Sequence, residues 1–407
     1  MGFREEIEAI TSYLPKSPQR QTFLFSATVS REIRQIARST LDEKHLFIDC
    51  VPADSSPVHA HVPQFHTVLP SAADQFPHLL RLLAHDQLLN PGTSKIIIFL
   101  PTTRMTQLVA TIISQLVDSC LPAGRSTSVY EIHSKRTMQA RTNTSDRFRK
   151  DRGNCILLSS DVSARGVDYP GVTRVIQIGI PSTPDQYVHR VGRTGRGREK
   201  TGRADLVLLP WEVGYVSWQL NGIPLKPLST NELAAQVQEL APPTYTQRLD
   251  ELDRQVQDFL PRLDADAVKE TLASQLGYYT GKGSELRIHK TAIFEGLKDW
   301  TTQACGLAQA PHFSEGFLLK LGLGGGSSGA FGGFRDRGFR RSRSFGGEDR
   351  PRRNFDREDR PYRPFDREPR PPRNFGSSFE SRPRRDFSRE GRPPRSFGGH
   401  ESRERDD

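Results

Sequence analysis

The chain has 407 residues, 35% of them hydrophobic and 26% charged, with a formal net charge of +10. That length holds two compact domains or one with extensions, while the longest apolar runs, such as "IIIFL", are far too short to span a bilayer. Cysteines at 50, 120, 155 and 305 form no C-x-x-C pair, which argues against a disulfide framework and a zinc site and fits a reducing compartment; residues 1–20 lack the charged start and apolar core of a secretory signal.

In chain order, short β-branched runs alternate with helical patterns. Strands are expected at "TFLF" (22–25), "HLFID" (45–49), "KIIIFL" (95–100), "NCILLSS" (154–160), "RVIQIG" (174–179) and "ADLVLL" (204–209). Between them, "SREIRQIARSTL" opens on a Ser30 cap and sets Ile33, Ile36, Ala37 and Leu41 on one helical face. "TTRMTQLVATIISQLV" has the same periodicity. Near-continuous apolar strands between amphipathic helices imply a parallel sheet covered on both faces, hence an α/β fold. "VPADSSPVHAHVP" (51–63) has no periodicity and reads as a linker. Residues 1–50 then read as the distal part of one α/β unit, too small to be a domain, and 64–225 as a whole one. Residues 228–322 carry helical periodicity without strands, as in "NELAAQVQELA" and "KTAIFEGLKDWTTQA", and are expected to form an all-α extension packed on the preceding domain.

The final segment differs in kind. From Gly324 onward there is no Leu, Ile, Val or Lys, so 323–407 cannot bury a core and reads as a disordered basic tail. From residue 322 the chain has 22 Arg against 15 Asp plus Glu, a net +7 of the total +10. The tail therefore supplies most of the long-range attraction for a polyanion. R-P-x-R-x-F occurs five times, beginning at Arg350, Arg360, Arg370, Arg382 and Arg392. Arginine beside an isolated aromatic suits single-stranded nucleic acid, whose phosphates meet Arg while bases stack on Phe; a solubilising or self-associating tail is the alternative.

"YVHRVGRTGRG" (187–197) places Arg190, Arg193 and Arg196 three apart among glycines. On a helix or tight turn such arginines share a face and can converge on one multiply charged group such as a phosphate; a solvated basic surface is the bland alternative. No G-x-x-x-x-G-K-[ST] loop occurs in the 407 residues. If the arginines meet a nucleotide, another element must hold it.

"FLFSAT" (23–28), "HSKRTMQAR" (133–141), "SSDVSARGVDYPGV" (159–172) and "YVHRVGRTGRG" occur in this order, each after or between expected strands. Together they resemble the second half of a DEAD-box RNA helicase, a superfamily-2 enzyme of two RecA-like α/β domains. "MGFREEIEAI" resembles the segment that follows the D-E-A-D sequence of that family. The resemblance implies ATP with Mg2+ as cofactor, with the phosphate loop and magnesium ligands in first-domain sequence outside these residues, which by themselves would be inactive. It gives Ser26 and Thr28 the linkage of nucleotide site to strand separation, Asp168 the ribose contact with Gly166 permitting close backbone approach, and Arg193 and Arg196 the γ-phosphate. His189 and Arg190 would bridge the two domains near the attacking water. Arg104, His133, Arg141, Ser160 and Asp161 would line an RNA groove that ignores sequence. Ser134 and Met138 depart from the family's usual Gly and Gln, which puts the backbone approach to RNA near Ser134 in question.

"YYTGKGSELRIHKTAIFEGLKDW" and the Arg-rich tail resemble the mitochondrial RNA-chaperone branch of these helicases. That implies local ATP-dependent unwinding of RNA duplexes, RNA tethered by the tail, and a place in the mitochondrial matrix, with nucleus or cytoplasm as the alternative. A non-enzymatic RNA-binding or annealing protein made of one RecA-like domain and an Arg/Phe tail is the rival reading. Neither reading calls for a metal site within this chain or for a membrane.

Overall fold

The structure, a computed structural model, describes residues 4–16, 18–26, 31–50, 62–161, 167–196 and 202–323. Seven strands, β1 (Gln64–Val68), β2 (Lys95–Phe99), β3 (Ser128–Ile132), β4 (Cys155–Ser159), β5 (Arg174–Ile178), β6 (Arg203–Leu208) and β7 (Leu225–Pro227), form one sheet in the order β3-β4-β2-β5-β6-β1-β7. Every pairing is parallel. Parallel neighbours need crossovers, and helices Gln75–Leu89, Thr103–Cys120, Met138–Lys150 and Pro184–Val191 supply them, covering the sheet as a RecA-like fold requires. Each residue of β2, β4 and β5 is buried, which is why these strands are runs of Ile, Leu and Val with no alternation.

The expected strands at 95–100, 154–160, 174–179 and 204–209 are therefore present as β2, β4, β5 and β6. Those expected at 22–25 and 45–49 are not: both stretches lie outside helix and strand, with Phe25 and Leu46 exposed. A β-branched run becomes a strand only with a ladder partner, and the described residues offer these none. The helix expected after Ser30 does form, as Arg31–Thr40, and Ile33, Ile36 and Ala37 are among its less exposed positions. Most of the expected linker, 51–61, and the tail from 324 lie outside the described residues.

Helices Thr230–Leu240, Pro243–Asp250, Leu252–Phe259, Ala265–Tyr279 and Lys290–Gln303 follow the sheet. The first starts on a reciprocal cap, with Glu232 N donating to Ser229 Oγ at 3.1 Å and Ser229 N donating to the Glu232 carboxylate at 2.7 Å. These helices share the core of the sheet: Leu233, Val237, Leu252, Val256, Val268 and Trp300 belong to one buried cluster with Ile96 and Ile98. Trp300 Nε1 donates to Gln75 Oε1 at 2.7 Å, and Tyr245 Oη donates to the Cys120 carbonyl at 2.7 Å, so the large aromatics that fill the seam also satisfy their polar ends.

A buried ionic cluster lies at the amino ends of the central strands. Arg174, the first residue of β5, has no exposed surface; its Nε is 3.5 Å from Asp86 and 3.6 Å from Asp205, and its guanidinium donates to the Leu82 carbonyl at 2.5 Å and to His85 Nδ1 at 2.8 Å. Burial, then the Arg174 charge, pushes the His85 pKa down to about 3, so the ring is a neutral acceptor. Ligands of parallel sheets gather at the opposite, carboxyl ends, and this cluster is structural.

Candidate functional site

Register fixes which loops meet. Ser159 of β4 pairs with Phe99 of β2 and Ile132 of β3, and the pairing continues as Leu100 N donates to Ser159 O and Ser160 N to Ile132 O, at 3.0 and 3.3 Å. The segments that follow, Thr102–Arg104, His133–Ser134 and Ser160–Asp161, therefore emerge side by side at the carboxyl ends, where an open parallel sheet forms its crevice. Thr102 caps the helix Thr103–Cys120 by accepting from Met105 N at 3.2 Å, which starts that helix at the rim.

Of the residues expected along the RNA groove, Asp161 is at the rim with its side chain 40% exposed. Arg104 is partly exposed and pairs at 2.7 Å with Glu270 of the helix Ala265–Tyr279. Ser160 is buried, as the end of a central strand must be. Arg141 is half-buried in the helix Met138–Lys150, and its Nε is enclosed without a hydrogen-bond acceptor. His133 departs from the expectation of a groove-lining contact: it is 3% exposed, with Nε2 2.9 Å from the Glu131 carboxylate. Burial lowers its pKa against the pull of Glu131, so it supports the rim from below. Beside it the partly exposed Thr103, to which the sequence reading gave no RNA role, and the exposed Ser134, where that reading questioned the backbone approach to RNA, bring Thr103 Oγ1 and Ser134 Oγ to 3.0 Å and present paired hydroxyls.

The arginine segment begins in the helix Pro184–Val191. Thr183 accepts from Gln186 N at 3.1 Å, Pro184 takes the first turn, and Asp185 sits where the helix dipole favours an acid. His189 and Arg190 occupy the last turn. Arg190 was expected to bridge two domains, yet it is fully buried within this one. Its guanidinium donates to Asp161 Oδ1 through Nε (3.0 Å) and Nη2 (2.5 Å), to Gln177 Oε1 at 3.3 Å, and lies over the Phe99 ring at 5.3 Å. Gln186 Nε2 adds a bond of 2.9 Å to the same carboxylate oxygen. Gly192 ends the helix, and with the helical period broken Arg190 separates from the two arginines after it.

Those two converge. The chain turns through Thr194, whose buried hydroxyl donates to Val172 O at 2.5 Å, and Gly195, whose φ of +67° suits glycine. Arg193 donates from Nε to His189 O at 3.1 Å and from Nη1 to the Val167 carbonyl. Burial, then the neighbouring Arg196, pushes its pKa down to about 10, so it stays a cation at neutral pH. Arg196 donates from Nε to Gly192 O and from Nη1 to Asp168 Oδ1, both at 2.6 Å. Backbone carbonyls thus orient both forks beside a 71% exposed carboxylate. Two oriented guanidinium groups suit phosphate oxygens, and an adjacent carboxylate suits sugar hydroxyls, so the donor set fits a nucleotide. His189 is partly buried beside them, and Ser26 is exposed in the stretch 21–26, outside helix and strand. Thr28 and Gly166 lie outside the described residues. No group of three or more His, Cys, Asp or Glu that could hold a metal occurs among the described residues, and none of their helices is long and apolar enough to cross a membrane.

Comparison with known proteins agrees with this geometry. Residues 74–198 match the family described as the helicase conserved C-terminal domain. The chain is 38% identical over 323 residues to DEAD-box ATP-dependent RNA helicase 26 of Arabidopsis thaliana, covering 79% of this chain and 34% of that protein. It is 36% identical over 323 residues to DEAD-box ATP-dependent RNA helicase 26 of Oryza sativa subsp. japonica, with 79% and 54% covered. The chain thus spans between a third and about half of these curated relatives. Among solved structures, DEAD-box helicase Mss116 bound to ssRNA and UDP-BeF superposes with a TM-score of 0.63 at 25% identity, over 79% of this chain and 61% of the other.

Proposed function

The chain carries the carboxyl-terminal portion of a DEAD-box, superfamily-2 helicase, and on that premise we propose that it supplies one wall of an ATP site and one wall of an RNA groove in a protein that opens RNA duplexes locally at the expense of ATP. The observation that carries this reading is that Arg196 pairs with the exposed carboxylate of Asp168 while the partly buried Arg193 is held against the adjacent Val167 carbonyl.

On this reading the phosphate loop is supplied by a facing RecA-like domain; no G-x-x-x-x-G-K-[ST] loop occurs in the 407 residues. When the nucleotide enters, Asp168 exchanges the Arg196 guanidinium for ribose hydroxyls, and Arg196 turns toward the terminal phosphate with Arg193 beside it. Charge developing on the transferred phosphoryl group is then met by two oriented cations, an effect worth about 10³- to 10⁵-fold in the systems that define it. Magnesium, when bound, would neutralise phosphate charge, and on this reading the facing domain would supply its protein ligands. On the other wall Arg104, Thr103, Ser134 and the Asp161 rim meet the RNA backbone, so recognition is of phosphate and 2′-hydroxyl rather than of sequence. The Arg/Phe tail tethers the RNA, and the mitochondrial matrix is the compartment this reading gives, to be checked by fractionation of tagged protein.

The test is ATP hydrolysis by native protein purified through a carboxyl-terminal tag, with and without RNA. RNA should stimulate turnover at least tenfold, whereas residues 1–407 expressed alone should bind RNA and hydrolyse nothing. Salt-sensitive RNA binding by the native protein without any ATP turnover would favour the annealing-protein reading.

A further inference from the structure

We infer that Tyr278, Tyr279 and Lys282 of the helical extension are positioning residues for the arginine segment; the functional part of this inference rests on the reading just given. The backbone between β5 and the helix Pro184–Val191 runs through Gly179, Ile180, Pro181 and Ser182, and the extension holds it at successive points. Tyr278 Oη donates to the Ile180 carbonyl at 2.9 Å. Lys282 Nζ donates to the Ser182 carbonyl at 2.6 Å and is itself held by the Glu285 carboxylate at 2.8 and 3.0 Å. Tyr279 Oη donates to the buried Glu212 carboxylate and occupies the space that a Cβ on Gly179 would need, 2.4 Å away.

The next residue, Thr183, is the cap of the helix that ends in His189 and Arg190. That helix has eight residues, and Arg193 is tied to its last turn through His189 O. A short helix moves as a rod, so a displacement at Ser182 reaches the guanidinium groups without being absorbed. Misplacing a reacting group by about 1 Å costs on the order of 10²-fold in rate. Tyr187 of the same helix also packs in one cluster with Leu276 and Tyr279 of the extension, so side-chain packing reinforces the backbone clamp.

Tyr278→Phe removes one hydrogen bond and Lys282→Ala removes the bond to Ser182 O together with the ion pair to Glu285, both at partly buried sites, whereas Tyr279→Phe would take one of its donors from a fully buried carboxylate and risk the fold. The experiment uses the native tagged protein carrying Tyr278→Phe with Lys282→Ala, and compares the kcat and KM of RNA-stimulated ATP hydrolysis, RNA affinity, and backbone amide exchange. The expected result is a kcat about tenfold lower, with KM for ATP and RNA affinity within twofold of the parent, and faster exchange confined to 183–196. Lys282→Arg, which keeps a donor, should retain the parental kcat. Unchanged kcat, or exchange that rises equally in β2 and β4, overturns the inference. If the unsubstituted protein shows no RNA-stimulated ATPase, the functional reading fails on its own, and the exchange of 183–196 alone then decides the clamp: faster exchange there supports it and unchanged exchange removes it.

Discussion

Asp161 Oδ1 accepts from both Nε and Nη2 of Arg190, at 3.0 and 2.5 Å, across 29 residues of sequence. The carboxylate belongs to the rim at the end of β4, and the arginine belongs to the helix that leads to Arg193 and Arg196. One joint therefore connects the groove wall to the arginine segment, and whatever shifts one strains the other.

Asp161→Ala should leave a fully buried guanidinium without its carboxylate. Breaking such a pair costs about 3 kcal/mol, the low end of the range because Asp161 itself is partly in solvent. A urea titration should show the lower midpoint, and Asp161→Asn, which keeps an acceptor oxygen, should recover part of it. No loss in the alanine variant would contradict the joint.

Gly179→Ala tests the seam between sheet and extension. The residue has a φ of +72°, and its Cβ would fall 2.4 Å from Tyr279 Oη, so the substitution meets backbone strain and a buried hydroxyl together. The loss should exceed about 2 kcal/mol in the same titration. A Gly222→Ala control, with a φ of +94° and open space around the Cβ, isolates the backbone part.

Glu212 should make stability fall with pH. It is fully buried and burial pushes its pKa up to about 7, against hydrogen bonds from Tyr279, Leu209 and Ile180. Between the ordinary carboxylate pKa and about 7 the folded state holds a proton that the unfolded state has released, so stability declines as pH rises through that window and levels off above it. Thermal denaturation from pH 5 to 8 should show this decline, and Glu212→Gln should flatten it.

Deleting 324–407 removes most of the net positive charge. RNA affinity at low salt should fall, and the slope of log K against log salt should become less steep by several units, because fewer phosphates are neutralised. An unchanged slope would place the electrostatic contact in the folded part.

Much of the sheet was legible in the sequence because burial on both faces removes alternation, and "KIIIF", "CILLS" and "RVIQI" could be little else. β3, "SVYEI", was not: it is an edge strand, and partial exposure gives it a mixed composition. β1, "QFHTV", has a partly exposed His66, and its buried positions are the polar Gln64 and Thr67, so it shows no apolar run. Spacing singled out the arginines and the resemblance Asp168, and the fold brings Arg196 and Asp168 into contact. The fate of Arg190 was hidden because i, i+3, i+6 spacing holds only while the helix lasts, and it stops at Gly192. For His133 a signal existed: Glu131 is two residues earlier, near the end of β3, and His133 directly follows that strand, so the two-residue period makes an internal partner available. The clamp on Ile180 and Ser182 was beyond reach, since Tyr278 and Lys282 lie about a hundred residues away and only packing brings them back.

The most direct measurement of the central claim is steady-state, RNA-stimulated ATP turnover by the native tagged protein beside its Arg193→Ala and Arg196→Ala variants, with RNA affinity measured on the same preparations. Each substitution should lower kcat by about 10³-fold and leave RNA affinity within a few-fold of the parent. Parental turnover in both variants would contradict the assignment of this segment to the nucleotide.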